Sequence, residues 1–170
     1  MESLAAGDVS LEALPEHIVD AFRSEWSAAR GATPLGTIAI VDDGPPDQYL
    51  YPEFLLYQRL LQRFGHRTLI VDAAHLEAGD DGLAADGQRI DLVYNRVTDF
   101  YLSDERHGAL RRAYEDDLAV ITPHPAAHAH WADKRLLSWL RDETLLRESG
   151  LDADDRQHLV RTIPPTEIVT

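Results

Sequence analysis

The chain contains no cysteine. Disulfides, thiolate nucleophiles, zinc ribbons and iron–sulfur clusters are excluded for this sequence, and the redox compartment is left undetermined. No stretch approaches the ~20 consecutive apolar residues that cross a bilayer. The start, MESLAAGDVSLEAL, has neither the basic opening nor the apolar run of a signal peptide, so a cytoplasmic chain is expected. Positive charge is scarce. Against 30 acidic residues stand 16 basic ones, a net charge of −14. Such a surface repels phosphate backbones and anionic lipid, so no nucleic-acid and no membrane partner is expected, whereas a cation such as a polyamine would be tolerated or attracted. GxGxxG, GxxxxGK[ST] and GxSxG are all missing, which removes the dinucleotide fingerprint, the P-loop and the serine nucleophile elbow.

What is present is a chain of 170 residues, 44% hydrophobic, enough for one domain with a real core. Residues 10 to 30 space Leu14, Ile18, Phe22 and Trp26 four apart, as in an amphipathic helix, and Gly31 ends it. This is read as a helical lead-in over residues 1–31, with the α/β domain over 32–170. TIAIV, 37 to 41, reads as a buried strand closed by Asp42, Asp43 and Gly44. YPEFLLYQRLLQRFG follows as a helix: Pro52 suits its first turn, Glu53 favours its positive end and Gly65 stops it. Further strands are expected at 67–73, 89–96 and 118–123, and helices at 103–117 and 132–149. AHLEAGDDGLAADGQ reads as a short turn and then a polar loop or small hairpin, and the chain ends in a Pro-Pro turn and an extended apolar tail. Alternating strands and helices predict an α/β fold, an open and mainly parallel sheet with flanking helices. Ligands of such sheets collect beyond the C-terminal strand ends, which makes 42–50, 72–76, 95–102 and 123–133 the candidate loops.

Four stretches in those loops carry candidate chemistry. HPAAHAHWADKR holds His124, His128, His130 and Asp133, a set a metal-dependent hydrolase would use. No single regular element gathers all three histidines, and the ordered spacing of a zinc motif such as HExxH is absent, so a solvated histidine-rich loop competes with the metal site. YNRVTDF runs an apolar strand into Asn95, Arg96 and Asp99. Arg96 could clamp a carboxylate or phosphate with Asp99 orienting it, or the two could form an ion pair that closes the loop. Asp42 and Asp43 could contact a metal or ribose, and an acidic turn is the plainer reading. In ADKR, Asp133 suits a helix N-cap, while Lys134 opposes the macrodipole there.

Taken together, IAIVDDG, the aromatic-PEF helix, IDLVYNRVTDF and VITPHPAAHAHWADKRLL resemble the pre-ATP-grasp domain of ATP-grasp ligases, most closely the circularly permuted group around glutathionylspermidine synthase. The likeness covers roughly residues 36 to 168. It matches an aromatic–polar–Arg trio with a following Asp to Tyr94, Asn95, Arg96 and Asp99, and a later Pro…DK loop to Thr122, Pro123, Asp133 and Lys134. The resemblance implies an amide-bond-forming carboxylate–amine ligase, in which ATP phosphorylates a carboxylate and an amine attacks the acyl phosphate. It assigns substrate binding to Tyr94, Asn95, Arg96, Asp99, Asp133 and Lys134. It also implies a Rossmann-like fold, ATP and magnesium in the full-length protein, and an ATP-grasp domain of the same protein as partner. No acidic–x–Asn magnesium pair occurs, so the chain is expected to carry no cofactor itself, to be one domain of a longer protein and to be inactive alone. On this reading the histidines are incidental to a connecting loop. A non-catalytic α/β binding or interaction module, self-associating through its tail, is the alternative.

Overall fold

The computed structural model describes residues 11–167. It is a Rossmann-like α/β fold, and the chain divides into two compact units, Met1–Pro125 and Ala126–Thr170.

The first unit is built on a parallel sheet. Helix α1, Leu14–Arg30, turns Val19, Phe22 and Trp26 into the core, with Pro15 in its first turn where no backbone donor is lost. Strand β1, Thr37–Asp42, is buried almost throughout. Helix α2, Tyr51–Arg63, and β2, Arg67–Asp72, follow. The stretch read as a polar loop or small hairpin is a hairpin of β3, Glu77–Gly79, and β4, Gly82–Ala85, which β5, Gln88–Ile90, extends to a three-stranded antiparallel meander. Strand β6, Leu92–Asn95, helix α3, Gly108–Glu115, and β7, Val120–Thr122, complete the unit. The parallel sheet has the order β2-β1-β6-β7.

The apolar run at 89–96 splits into two strands of different sheets because Asp91 stands between them. Its carboxylate accepts the N–H groups of Gly36 and Thr37, at 3.1 and 2.8 Å, and its own N–H reaches the Thr37 carbonyl. A Cβ at position 36 would lie 2.5 Å from an Asp91 carboxylate oxygen, so the approach needs glycine. The helix expected at 103–117 also starts late. Asp104 takes the Arg106 N–H and closes a 3₁₀ turn over Glu105–His107 before α3 begins.

Side chains alternate across the parallel sheet and feed two cores. On one face Ile38, Leu92 and Val120 meet Val19, Phe22 and Trp26 of α1 and Leu61 of α2. On the other, Ala39, Val41 and Val93 meet Leu83 and Ile90 of the meander and Leu110 of α3. The helix read as a lead-in is thus part of the sheet's packing. Each fully buried Ile or Leu in these layers stabilises by about 1.5–3 kcal/mol.

The second unit consists of short helices. Helix α4, Pro125–Trp131, spans the join. It is followed by α5, Leu136–Trp139; α6, Glu143–Glu148; and α7, Ala153–Thr162. The single helix expected at 132–149 is broken by its acidic side chains, which hydrogen-bond local backbone in competition with helix continuation. Asp133 accepts the Arg135 N–H, and Asp142 starts α6 afresh by accepting from Thr144 and Leu145. Ahead of the Pro-Pro turn the chain forms α7, capped by Asp152 through the Asp155 N–H, and the last three residues of the tail expected to be extended lie outside the described residues. Arg141 donates to the carbonyls of Val160, at 2.9 Å, and Ile163. Among the described residues no helix is long and apolar enough to cross a membrane.

Candidate functional site

The strand order places the switch point of the sheet between β1 and β6. From β1 the chain moves outward to β2, then returns to the other side of β1 to lay down β6 and β7. Connections diverge there and leave a crevice at the C-terminal strand ends, the usual ligand position in open α/β sheets. Asp42 and Asp43 end β1, and Asn95 and Arg96 end β6.

Register decides which side chains share a face. Asp42 pairs with Asp72 of β2, and Val41 pairs with Asn95 of β6. The Arg96 N–H donates to the Val41 carbonyl at 2.8 Å and carries the ladder one step further. Arg96 therefore lies across from Asp42, on the face that α2 covers. The row along this edge reads Asp72, Asp42, Arg96. The Arg96 guanidinium lies over the rings of Phe54 and Tyr94, at 5.9 and 5.3 Å from their centroids. It donates to the Tyr94 hydroxyl at 3.0 Å and meets Glu53 of α2 at 3.4 Å. Burial pushes the Tyr94 phenol up to about 12, so it stays protonated. Tyr94 also packs edge-on against Phe22 and tilted against Tyr57. These three rings, with Ile18, Thr122 and Pro123, line a mostly apolar cavity of about 260 Å³, and Glu25 is the one charged residue in its wall.

Two carboxylates stand in this row, and a third, Glu53, reaches Arg96 from α2. The oxygens of Asp72 are occupied by the N–H groups of Gly44 and Ala74, at 3.2 and 3.0 Å. Asp42 is only 9% exposed, and its Oδ1 accepts the Asp43 N–H at 2.9 Å. Among the described residues its Oδ2 has no hydrogen-bond partner. No fully enclosed side-chain polar atom lacks a partner there either, so Oδ2 meets solvent through the crevice. Burial, reinforced by the charges of Asp43 and Asp72, holds the Asp42 pKa above its ordinary value, against the Asp43 N–H and Arg96.

The opposite face of the same edge is closed by a histidine. His107 is 1% exposed. Its Nε2 lies 2.8 Å from Asp43 Oδ1, and its Nδ1 lies 2.9 Å from Asp99 Oδ2. Two carboxylates leave both ring nitrogens as donors, so the ring is an imidazolium. Burial alone would lower its pKa, and the bonds to the two carboxylates raise it. Asp99 also accepts the Asp104 N–H at 2.8 Å and the Ser103 hydroxyl at 3.1 Å. The Asp104 N–H foremost, with His107 and Ser103, holds it down to about 2 against burial. The clamp ties the loops after β1 and β6 to the turn before α3. With both nitrogens engaged, His107 has no lone pair for base catalysis.

Tyr94, Asn95, Arg96 and Asp99 thus come together at the switch point, but Arg96 and Asp99 do not pair: Arg96 takes Glu53 and Asp99 takes His107. Asn95 caps its own loop by accepting the Val97 N–H. Asp133 and Lys134 belong to the second unit, where Asp133 bonds the Arg135 guanidinium and Lys134 is exposed. Pro125 opens a helix through the histidine stretch, so His128 and His130, two residues apart, point to different helix faces. His124 stacks edge-on against Tyr114. Among the described residues no group of three or more His, Asp or Glu is placed to hold a metal ion. Sequence reasoning missed His107 and the role of Glu53. The PEF of α2 held a signal for Glu53, an acid on the first turn facing a strand end that carries arginine. Nothing local marked His107. No protein-family model matches the chain, and no curated protein matches it.

Proposed function

We propose that the crevice between β1 and β6 binds a carboxylate-bearing small molecule, with Arg96 as its receptor, and that the chain serves as the substrate-side, pre-ATP-grasp domain of an ATP-dependent carboxylate–amine ligase. The observation that carries the binding role is Arg96 itself: a guanidinium at the switch point, steadied by Tyr94 and two aromatic faces, and held to Glu53 by a loose contact that a ligand carboxylate can replace. The ligase role is supported by the resemblance of YNRVTDF and its neighbouring segments. In it Tyr94, Asn95 and Asp99 shape the loop that presents Arg96, and ATP and magnesium bind on the partner ATP-grasp domain.

Calorimetric titration of the chain with simple carboxylates and with Mg–ATP tests this. Carboxylate binding that weakens at least tenfold in Arg96→Ala, without nucleotide binding, is the expected result. Arg96→Lys should recover only part of it, because a point charge lacks the two-pronged geometry. Equal carboxylate affinity in Arg96→Ala would overturn the binding role. Tight Mg–ATP binding by this chain would overturn the division of labour.

A further inference from the structure

We propose that the crevice selects an amino acid, with the ligand ammonium on Asp42, its carboxylate on Arg96 and an apolar side chain in the cavity beside Tyr94; this rests on the carboxylate-binding role given to Arg96 above. Charge is the first argument. The row on the α2 face carries Asp72, Asp42 and Glu53 against Arg96, and the next cation, Arg106, is already bound to Asp104 and lies 3.8 Å from Asp43. A ligand that brought only a carboxylate would displace Glu53 and deepen the excess of negative charge. A ligand that also brings an ammonium restores the balance.

The second argument is the state of Asp42. Asp72 is satisfied by backbone donors, and Glu53 by Arg96. Asp42 alone keeps an oxygen without a protein donor while being nine-tenths buried at the crevice. Burying a carboxylate costs stability unless it is paired, and a missing donor is what a bound ammonium supplies. No group of three acidic or imidazole side chains among the described residues is placed for a metal, whereas one N–H of an ammonium needs only the one free oxygen of Asp42.

The third argument is reach. Asp42 and Arg96 start from neighbouring strands, about 4.8 Å apart, and emerge on one face, so a positive and a negative group must sit a few bonds apart in the ligand. An amino acid has that separation. Tyr94 connects this polar pair to the cavity: its hydroxyl accepts from Arg96, and its ring lines the cavity with Phe22 and Tyr57. A leucine- or phenylalanine-sized side chain has an apolar wall to pack on.

The test titrates the full chain with the twenty α-amino acids, β-alanine and γ-aminobutyrate, followed by ligand-observed NMR and calorimetry. The best ligands are then compared with their N-acetyl and methyl-ester forms. Free leucine or phenylalanine is expected to bind at least tenfold more tightly than its N-acetyl or ester form, and more tightly than glycine, aspartate or lysine. Asp42→Asn should weaken the free amino acid at least tenfold and leave the N-acetyl form unchanged. The acetylation comparison uses the wild-type chain, so it stands even where the variant folds poorly. N-acetyl and free forms binding equally, with both lost in Arg96→Ala, would overturn this inference and leave the carboxylate-binding reading intact. Preference for β-alanine or γ-aminobutyrate would overturn the side-chain assignment. Absence of any carboxylate binding would overturn both readings.

Discussion

One end of one sheet carries two acidic groupings, one on each face, and the protein treats them differently. On the α3 side Asp43 and Asp99 enclose His107, and every partner in the group is supplied by the chain. On the α2 side Glu53 takes Arg96, Asp72 takes backbone donors, and one carboxylate oxygen of Asp42 is left to solvent. The two faces start from neighbouring residues, Asp42 at the end of β1 and Asp43 just beyond it, separated only by strand alternation. A group that is satisfied internally holds loops in place. A group left one cation short stores a cost that a ligand can remove, which is how functional sites come to conflict with local stability.

The largest expected effect lies on the closed face. His107→Ala removes a buried ring and leaves Asp43 and Asp99 without their shared donor, so about 3 kcal/mol of stability should be lost, measured by urea denaturation at pH 6. Loss of less than ~1 kcal/mol would mean that the loops are held by other contacts and that the two faces do not differ as described.

A pH series sharpens the same contrast. His107 has a folded pKa above its unfolded value, so its contribution is fully present below about pH 6.5 and is lost as pH rises through the folded pKa. Asp99, held down to about 2, acts in the opposite sense: its contribution is present above about pH 3.8 and is lost as pH falls through about 2. The charged groups packed around the ring are Arg106 and Asp104 in its own turn and Asp43 and Asp99 from the neighbouring loops. The stability gap between wild type and His107→Gln should therefore be widest from pH 4 to 6 and narrow toward pH 9. A gap independent of pH would remove the imidazolium from the account.

These contrasts mark what the sequence alone could and could not disclose. The parallel sheet was legible because TIAIV, RTLIVDA and LAVITP are short apolar runs set between helix-period segments. The crevice was legible because IDLVY runs straight into Asn95 and Arg96. The pairing within it was not. Spacing favoured neither partner decisively, and Arg96–Asp99 was the nearest opposite pair in sequence; the actual partner, Glu53, is brought there by α2, which packs Leu61 on the face that carries Ile38 and Leu92. His107 was hidden because its two carboxylates lie 64 and 8 residues away. The polar stretch 74–88 read as a loop or small hairpin, not as three strands, because its strands are three or four residues long, too short for alternation to register. The break at 132–149 was hidden because Asp133 and Asp142 can cap a helix as readily as decorate its surface.

On the open face smaller effects of opposite sign are expected. Asp42 has its folded pKa raised, so its contribution is most favourable below about pH 3.8 and turns into a cost as pH rises through the folded value. Asp42→Asn removes a charge that Arg96 and the Asp43 N–H offset only in part. It should raise stability by about 1 kcal/mol at pH 7, a gain that disappears in acid. A loss at neutral pH would show that Asp42 is satisfied in the free protein and would erase the difference between the faces.

The smallest effect separates support of the site from support of the fold. Tyr94→Phe removes the hydroxyl that accepts from Arg96 but keeps the ring against Phe22 and Tyr57. Because Arg96 remains partly open to water, its freed N–H can be hydrated, and about 0.5 kcal/mol of stability should be lost. Ligand affinity should fall more than stability does, since a guanidinium released from Tyr94 pays orientational entropy when it meets a carboxylate. A variant that loses stability and affinity in equal measure would place Tyr94 with His107 among the groups that hold the fold. Unchanged stability with weakened binding would place it with Asp42 and Arg96, on the face built for a ligand.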